Sequence, residues 1–293
     1  MTNNIFKLMV LGFAMIMVSC GDDDKTTDNQ LTLNLAGLAD LGSDYAYEGW
    51  ILVDGSPKTT GVFTVDVDGI ASKTSFEVSE DDLEDATAFI LTIEPSPDSD
   101  PAPSAVHILA GDFSTDNAAL TVSHSAAIGT DFTASTGRYI LATPTDGMDN
   151  NEESGVWFLD NSSGSAVAGL TIPTLPEGWA YEGWAVIDGT PVTTGTFISA
   201  SGVDAASTFS GSNPGPGCPG EDFVQNAPSG LTFPTNLQGA TIVVSVEPVP
   251  DNSPTPFLLK PLVGMTAADA PVHSVLDMAN NAAATNPTGT ASK

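Results

Sequence analysis

Two glutamates in this chain occur twice. Glu48 and Glu182 sit in Tyr47-Glu48-Gly49-Trp50 and Tyr181-Glu182-Gly183-Trp184, while Glu94 and Glu247 each stand before a proline, Pro95 and Pro248, at the end of an apolar run. Repeated carboxylates invite an acid and base reading, since glycoside hydrolysis uses two carboxyl groups about 5 to 10 Å apart. Each pair here, however, is one residue duplicated, and copies in separate domains have no need to meet. The simpler reading is structural: a carboxylate at a strand end accepts hydrogen bonds from turn N–H groups and fixes the chain there. Trp50 and Trp184 read by the same logic as core anchors rather than sugar-stacking platforms.

No other constellation amounts to a catalytic site. His107, His124 and His273 are the only histidines, scattered without metal-ligand spacing. There is no nucleophile elbow, phosphate-binding loop or dinucleotide glycine pattern. Cys218, beside Pro219 and with no nearby histidine, gives little reason to expect a nucleophile. The expectation is a protein that is not an enzyme and has no cofactor. Calcium is the one alternative, because acidic residues cluster at Asp66-Asp68, Asp98-Asp100 and Asp146-Asp149-Glu152-Glu153, and a hard cation takes six to eight oxygen ligands. None of these runs follows the EF-hand order. Ser79 to Asp85, denser still, reads as a solvated helical turn or loop.

The elements that hold these residues are themselves duplicated. Tyr47 to Tyr181 and Phe63 to Phe197 are both steps of 134 residues, and Asp54-Gly55, Thr59-Thr60-Gly61 and Phe63 return as Asp188-Gly189, Thr193-Thr194-Gly195 and Phe197. Leu31, Leu33 and Leu35 alternate with polar residues, as do Phe63, Val65 and Val67, which is the period of a half-buried strand. Phe89, Leu91 and Ile93 form a further strand stopped by Pro95, with Ile242, Val244 and Val246 as its counterpart. Glu94 to Glu247 is a step of 153, so the second copy carries 19 extra residues; the Gly/Pro-rich run Gly211 to Gly220 is the apparent insert and a candidate binding loop. Tyr139 to Thr143 and Gly155 to Asp160 read as paired strands that either complete the first copy or bridge both. With 28 Gly and 21 Pro and charged residues only 15% of the total, the mixture favours short strands joined by turns, and the class is all-β, read as two tandem immunoglobulin-like β-sandwich domains at 31–165 and 166–293.

Acidic residues outnumber basic ones 37 to 7, and a net charge of −30 repels phosphate backbones, which argues against a nucleic-acid partner. Residues 1–19 read as a secretory signal whose apolar run, Leu8 to Val18, is too short to span a bilayer. Met17-Val18-Ser19-Cys20-Gly21 resembles the bacterial lipobox, making Cys20 the expected lipidation site; the alternative is a secreted protein with an incidental cysteine. Residues 20–30 then form an acidic tether. An acidic run directly behind such a cysteine resembles the surface-export signal of Bacteroidetes lipoproteins, and a periplasmic spacer is equally compatible. The expected address is the cell envelope, lipid-anchored to the outer membrane on its periplasmic or outer side.

Tyr47, Trp50, Gly61, Phe63, Glu94 and Pro95, and again Tyr181, Trp184, Gly195, Phe197, Glu247 and Pro248, give an aromatic strand, a Gly-x-Phe strand and an apolar strand ending in Glu-Pro before a Pro-rich loop. The pattern resembles the extracytoplasmic C-terminal domain of anti-sigma-K factors, the RskA family. Members of that family hold a sigma factor through a cytoplasmic domain joined by a transmembrane helix. Here a signal and tether stand in that place, so direct sigma-factor contact is not expected. The resemblance implies a lipid-anchored, non-catalytic binding or signalling module with an envelope protein as partner. The alternative is a surface glycan- or calcium-binding adhesive protein.

Overall fold

The computed structural model describes residues 29–148, 150–251 and 253–293. The signal at 1–19, Cys20 and Asp149 lie outside them. Nearly all the regular structure is β. The first copy contributes β1 (Gln30–Ala36), β2 (Tyr45–Val53), β3 (Ser56–Phe63), β4 (Ser75–Glu77), β5 (Ala86–Pro95), β6 (His107–Asp112) and β7 (Asn117–Thr121). Then come β8 (Thr136–Leu141), β9 (Gly155–Trp157), β10 (Leu159–Asp160), β11 (Val167–Ala168) and β12 (Leu170–Thr171). The second copy adds β13 (Trp179–Ile187), β14 (Thr190–Phe197), β15 (Gly220–Asp222), β16 (Thr241–Pro248), β17 (Leu262–Met265), β18 (Leu276–Asn280) and β19 (Thr288–Ser292). Two short helices, α1 (Glu80–Asp85) and α2 (Ala282–Thr285), complete the set, and no helix among the described residues is long and apolar enough to cross a membrane.

Two large sheets form a sandwich or barrel-like arrangement. One runs β3-β2-β5-β6-β7-β19-β1-β4, the other β14-β13-β16-β17-β18-β8-β9-β15, with β12 also on β8. Strand for strand the repeat is preserved down to its irregularities. Tyr47 faces Phe63 and Gly49 faces Gly61 before a bulge at Trp50, and Tyr181, Phe197, Gly183, Gly195 and Trp184 repeat that register with the same bulge. Gly61 and Gly195 sit at φ +124° and +111°, a conformation that glycine adopts without the strain a Cβ would bring. The hairpin turns also match: Asp54-Gly55 and Asp188-Gly189 all have positive φ, the two-residue turn whose twist suits a hairpin.

β8, before residue 165, and β19, after it, each lie in the other copy's sheet. β19, at the C-terminal end, inserts between β7 and β1 of the first sheet, with Leu35 opposite Gly289 and Ala36 opposite Thr288. β8 sits in the same relation to β18 and β12, with Leu170 opposite Gly137 and Thr171 opposite Thr136. The Tyr139 and Gly155 strands do pair, Ile140 opposite Trp157, and they do so within the second sheet. Strands on either side of residue 165 therefore share both sheets, and one continuous core runs through Leu33, Tyr47, Phe89 and Ile108 to Tyr139, Phe158, Tyr181 and Val244.

Tyr47 stacks on Phe63 at 5.6 Å and Tyr181 on Phe197 at 5.7 Å. Each tyrosine hydroxyl donates to a backbone carbonyl eight residues upstream, of Ala39 at 3.0 Å and Pro173 at 2.7 Å. One expected strand stops short: β3 ends at Phe63 and Val67 is 85% exposed. The Asp66 carboxylate accepts from the N–H groups of Asp68 and Ile70, a local turn that outcompetes the strand pattern. In the acidic run, Ser79 caps α1 by accepting from Asp82 N–H at 3.2 Å.

Candidate functional site

Each copy contains a relay from tryptophan through a hydroxyl to a buried glutamate. Trp50 and Trp184, both 2% exposed, donate their indole N–H to Thr92 at 2.9 Å and Ser245 at 2.8 Å. Those hydroxyls in turn donate to Glu94 and Glu247. The two carboxylates close the Pro-rich loops that follow: Glu94 accepts from Ser104 N–H at 2.9 and 3.2 Å, and Glu247 from Phe257 N–H at the same distances. Neighbouring strands β2 and β5, or β13 and β16, supply the tryptophan and the glutamate, so the relay follows from sheet register.

The same register aims a second carboxylate at the first. Glu48 lies opposite Thr92 with Glu94 one pair-step along on that face, and Glu182 lies opposite Ser245 with Glu247 placed likewise. Diagonal neighbours of this kind are within reach of long side chains. Thr59 and Thr193 donate to Glu48 and Glu182. The carboxylates that meet are therefore the two different glutamates of one copy, not the two copies of one glutamate.

In the second copy a third carboxylate joins them. Glu182, Glu247 and Asp251 each place an oxygen within 4.8 Å of the others, the only such set of three or more His, Cys, Asp or Glu groups among the described residues. Glu247 is 0% and Glu182 5% exposed. Burial, and then the neighbouring charges of Glu247 and Asp251, hold Glu182 well above the ordinary carboxylate range. Burial also pushes Glu247 up to about 7, against hydrogen bonds from Ser245 and Phe257. In the first copy burial raises Glu94, with Thr92 and Ser104 opposing it. Catalytic use of the second-copy pair would require a sugar to reach carboxyls almost wholly enclosed by strands. The arrangement suits holding a proton or a cation better than acid and base chemistry on a polymer.

The insert of the second copy builds another acidic group. Asp222 accepts Trp157 Nε1–H at 2.7 Å and Thr145 N–H at 2.8 Å, and Glu221 accepts from Ser210. Asp204 accepts from Gly220 N–H at 2.8 Å. Burial raises Asp204 to about 6 and Glu221 to about 7, the latter helped by Asp204 and Asp222. The Gly/Pro run folds over Trp157, where a side chain at Gly215 would collide with the indole. A cavity of about 410 Å³ remains between Asp204, Ser210, Asn213 and Trp157.

The other residues singled out from sequence lie apart. His107 bonds the Ala126 carbonyl, His124 faces Asp112 at 3.4 Å and His273 faces Glu152 at 3.2 Å. Cys218 is buried, which raises its thiol pKa. Asp66, Asp98, Asp100 and Asp146 accept from amides of their own loops, and Glu152 accepts from Thr143 N–H. Nothing local in the sequence marks Asp251, Asp204, Glu221 or Asp222 as site residues. Asp251 matches Asp98 in the repeat, a signal that becomes informative only once the strand register is known.

No curated protein and no solved structure is significantly similar to the chain. Residues 23–107 match the model of the family described as anti-sigma-K factor rskA, C-terminal. That stretch holds the first Tyr-Glu-Gly-Trp strand, the Thr92–Glu94 relay and the Pro-rich loop, and it ends before the second copy.

Proposed function

We propose that this chain is an exported, lipid-anchored, non-catalytic module of the cell envelope that acts by binding another envelope protein. The observation that carries the reading is the match of residues 23–107 to the anti-sigma-K C-terminal family, the outer half of a class of regulators. Two features support it. The site carboxylates are enclosed and hold loops in place, and the sequence before residue 30 has the order of a lipoprotein signal and an acidic tether. Lipid on Cys20 would fix the module to the outer membrane, where two or more acyl chains give stable attachment. The tether would let the β-structure reach its partner.

Fractionation of cells carrying the parent chain and Cys20→Ser tests the anchor. The parent should partition with membranes and incorporate labelled fatty acid, and the variant should do neither. Equal partitioning of both would remove the lipid anchor from the account.

A further inference from the structure

The geometry points to a divalent-cation site of the calcium class at Glu182, Glu247 and Asp251. The inference does not rest on the regulatory reading. An oxygen from each side chain lies within 4.8 Å of the others, the span of two ligands on one ion at bonds of about 2.4 Å. The set is all oxygen, with no histidine or cysteine, which favours hard cations over zinc or copper.

A second observation distinguishes this cluster from an ordinary acidic surface. Glu182 is 5% exposed, and its Oε2 has no hydrogen-bond partner among the described residues, while Oε1 is held by Thr193. A buried carboxylate oxygen left bare beside two more carboxylates is costly unless a proton or a cation joins it, and three carboxylates that share one space leave charge for a cation to balance. No lysine, arginine or histidine nitrogen among the described residues lies within 4.0 Å of the three. Lys260 lines the adjoining cavity and its charge acts on Glu247 from beyond that distance, with no basic nitrogen of the described residues closing on Glu182 or Asp251.

Access and further ligands are at hand. Glu247 and Asp251 border a cavity of about 600 Å³ that Ser253 and Thr255 also line, leaving room for the waters that complete a calcium shell. Asp251 accepts from Ser253 N–H through Oδ1 at 2.9 Å, which holds its carboxylate beside Glu182 and Glu247. The first copy supplies an internal control. Glu48, Glu94 and Asp98 occupy the matching positions, yet they do not converge within the same distance.

The test is thermal unfolding of the full chain in chelator and in saturating calcium chloride, for the parent, Asp251→Asn, Glu182→Gln and Glu48→Gln. Calcium should raise the parent midpoint by roughly 5 °C. It should raise that of Glu48→Gln equally and leave Asp251→Asn and Glu182→Gln unmoved. Asp251 is a partly exposed loop residue outside the strands, so a single cooperative transition of Asp251→Asn in chelator keeps the comparison valid even if Glu182→Gln is unstable. Terbium emission sensitised by Trp184, which is one hydroxyl away from Glu247, should be lost in Asp251→Asn. A parent midpoint indifferent to calcium would overturn the site, as would a shift that persists in Asp251→Asn.

Discussion

Leu33, in the first strand of the sheet, lies directly opposite Ala291, two residues from the C-terminal Lys293. Both side chains are buried in the common core. β19 thus joins β1 to β7 inside the first sheet, and the second sheet is formed by strands that lie between β7 and β19 in the chain. Completing the first copy's sheet takes residues more than 150 positions downstream of β7, a pairing of high contact order.

Ending the chain at Pro287 removes the strand between β1 and β7. The described backbone pairs from Thr32 to Ala36 and from Asn117 to Thr121 would all be lost. The truncated chain should lose its cooperative transition in urea and become protease-sensitive across the first copy. A peptide of residues 287–293 added in trans should restore part of the protection. Retained cooperativity without it would contradict the closure.

The two relays predict different costs for two substitutions. Trp50→Ala deletes a buried ring and should cost about 3–5 kcal/mol. Trp184→Phe keeps most of the packing but removes the donor to Ser245, and should cost about 1–3 kcal/mol. Urea unfolding separates them; a Trp50→Ala midpoint equal to the parent's would mean that the ring is not a core anchor.

Gly183 lies at the bulge, where a Cβ would strike both the Thr194 hydroxyl and the Phe158 ring. Gly183→Ala should therefore destabilise by about 1–3 kcal/mol through overpacking. Calorimetry on the variant is the check, and an unchanged or raised midpoint would show that the sheets can separate there.

The insert carries a pH signature. Glu221 is faced by Ser210, Asp204 and Asp222, and Asp222 in turn by Thr145, Trp157 and Asp146. Asp204 at about 6 and Glu221 at about 7 stand above their ordinary values of 3.8 and 4.5. A carboxyl raised on folding binds its proton more tightly when folded. Its contribution is thus complete below its ordinary value and is lost as pH rises through the folded one. Stability should fall between about pH 4 and 7, and Glu221→Gln should flatten the upper part of that fall relative to the parent. An identical slope in parent and variant would contradict the burial of Glu221.

Much of the architecture was legible because strands announce themselves locally. Leu31 and Leu33 alternate, Pro95 and Pro248 stop their strands, and Asp54-Gly55 turns where its twin does. What the sequence concealed depends on pairing between distant strands. Glu48 and Glu94 look unrelated until β2 and β5 are set in register, so the repeat drew attention to copies of one glutamate instead of neighbours in one copy. The exchange of β8 and β19 is silent for the same reason, since Thr136-Gly137 and Thr288-Gly289 look alike wherever they pair. Val67 misled because alternation carries no information about the Asp66 turn that ends the strand.

Whether this module works by binding an envelope protein is read from crosslinking of the full chain in its own cells. Covalent capture of one defined partner, an inner-membrane regulator or a transport receptor, is expected, with capture reduced by substitutions at the exposed Ser212, Asn213 and Pro214 of the Gly/Pro run. Recovery of only the chain itself or of surface polysaccharide would contradict it and favour an adhesive coat protein.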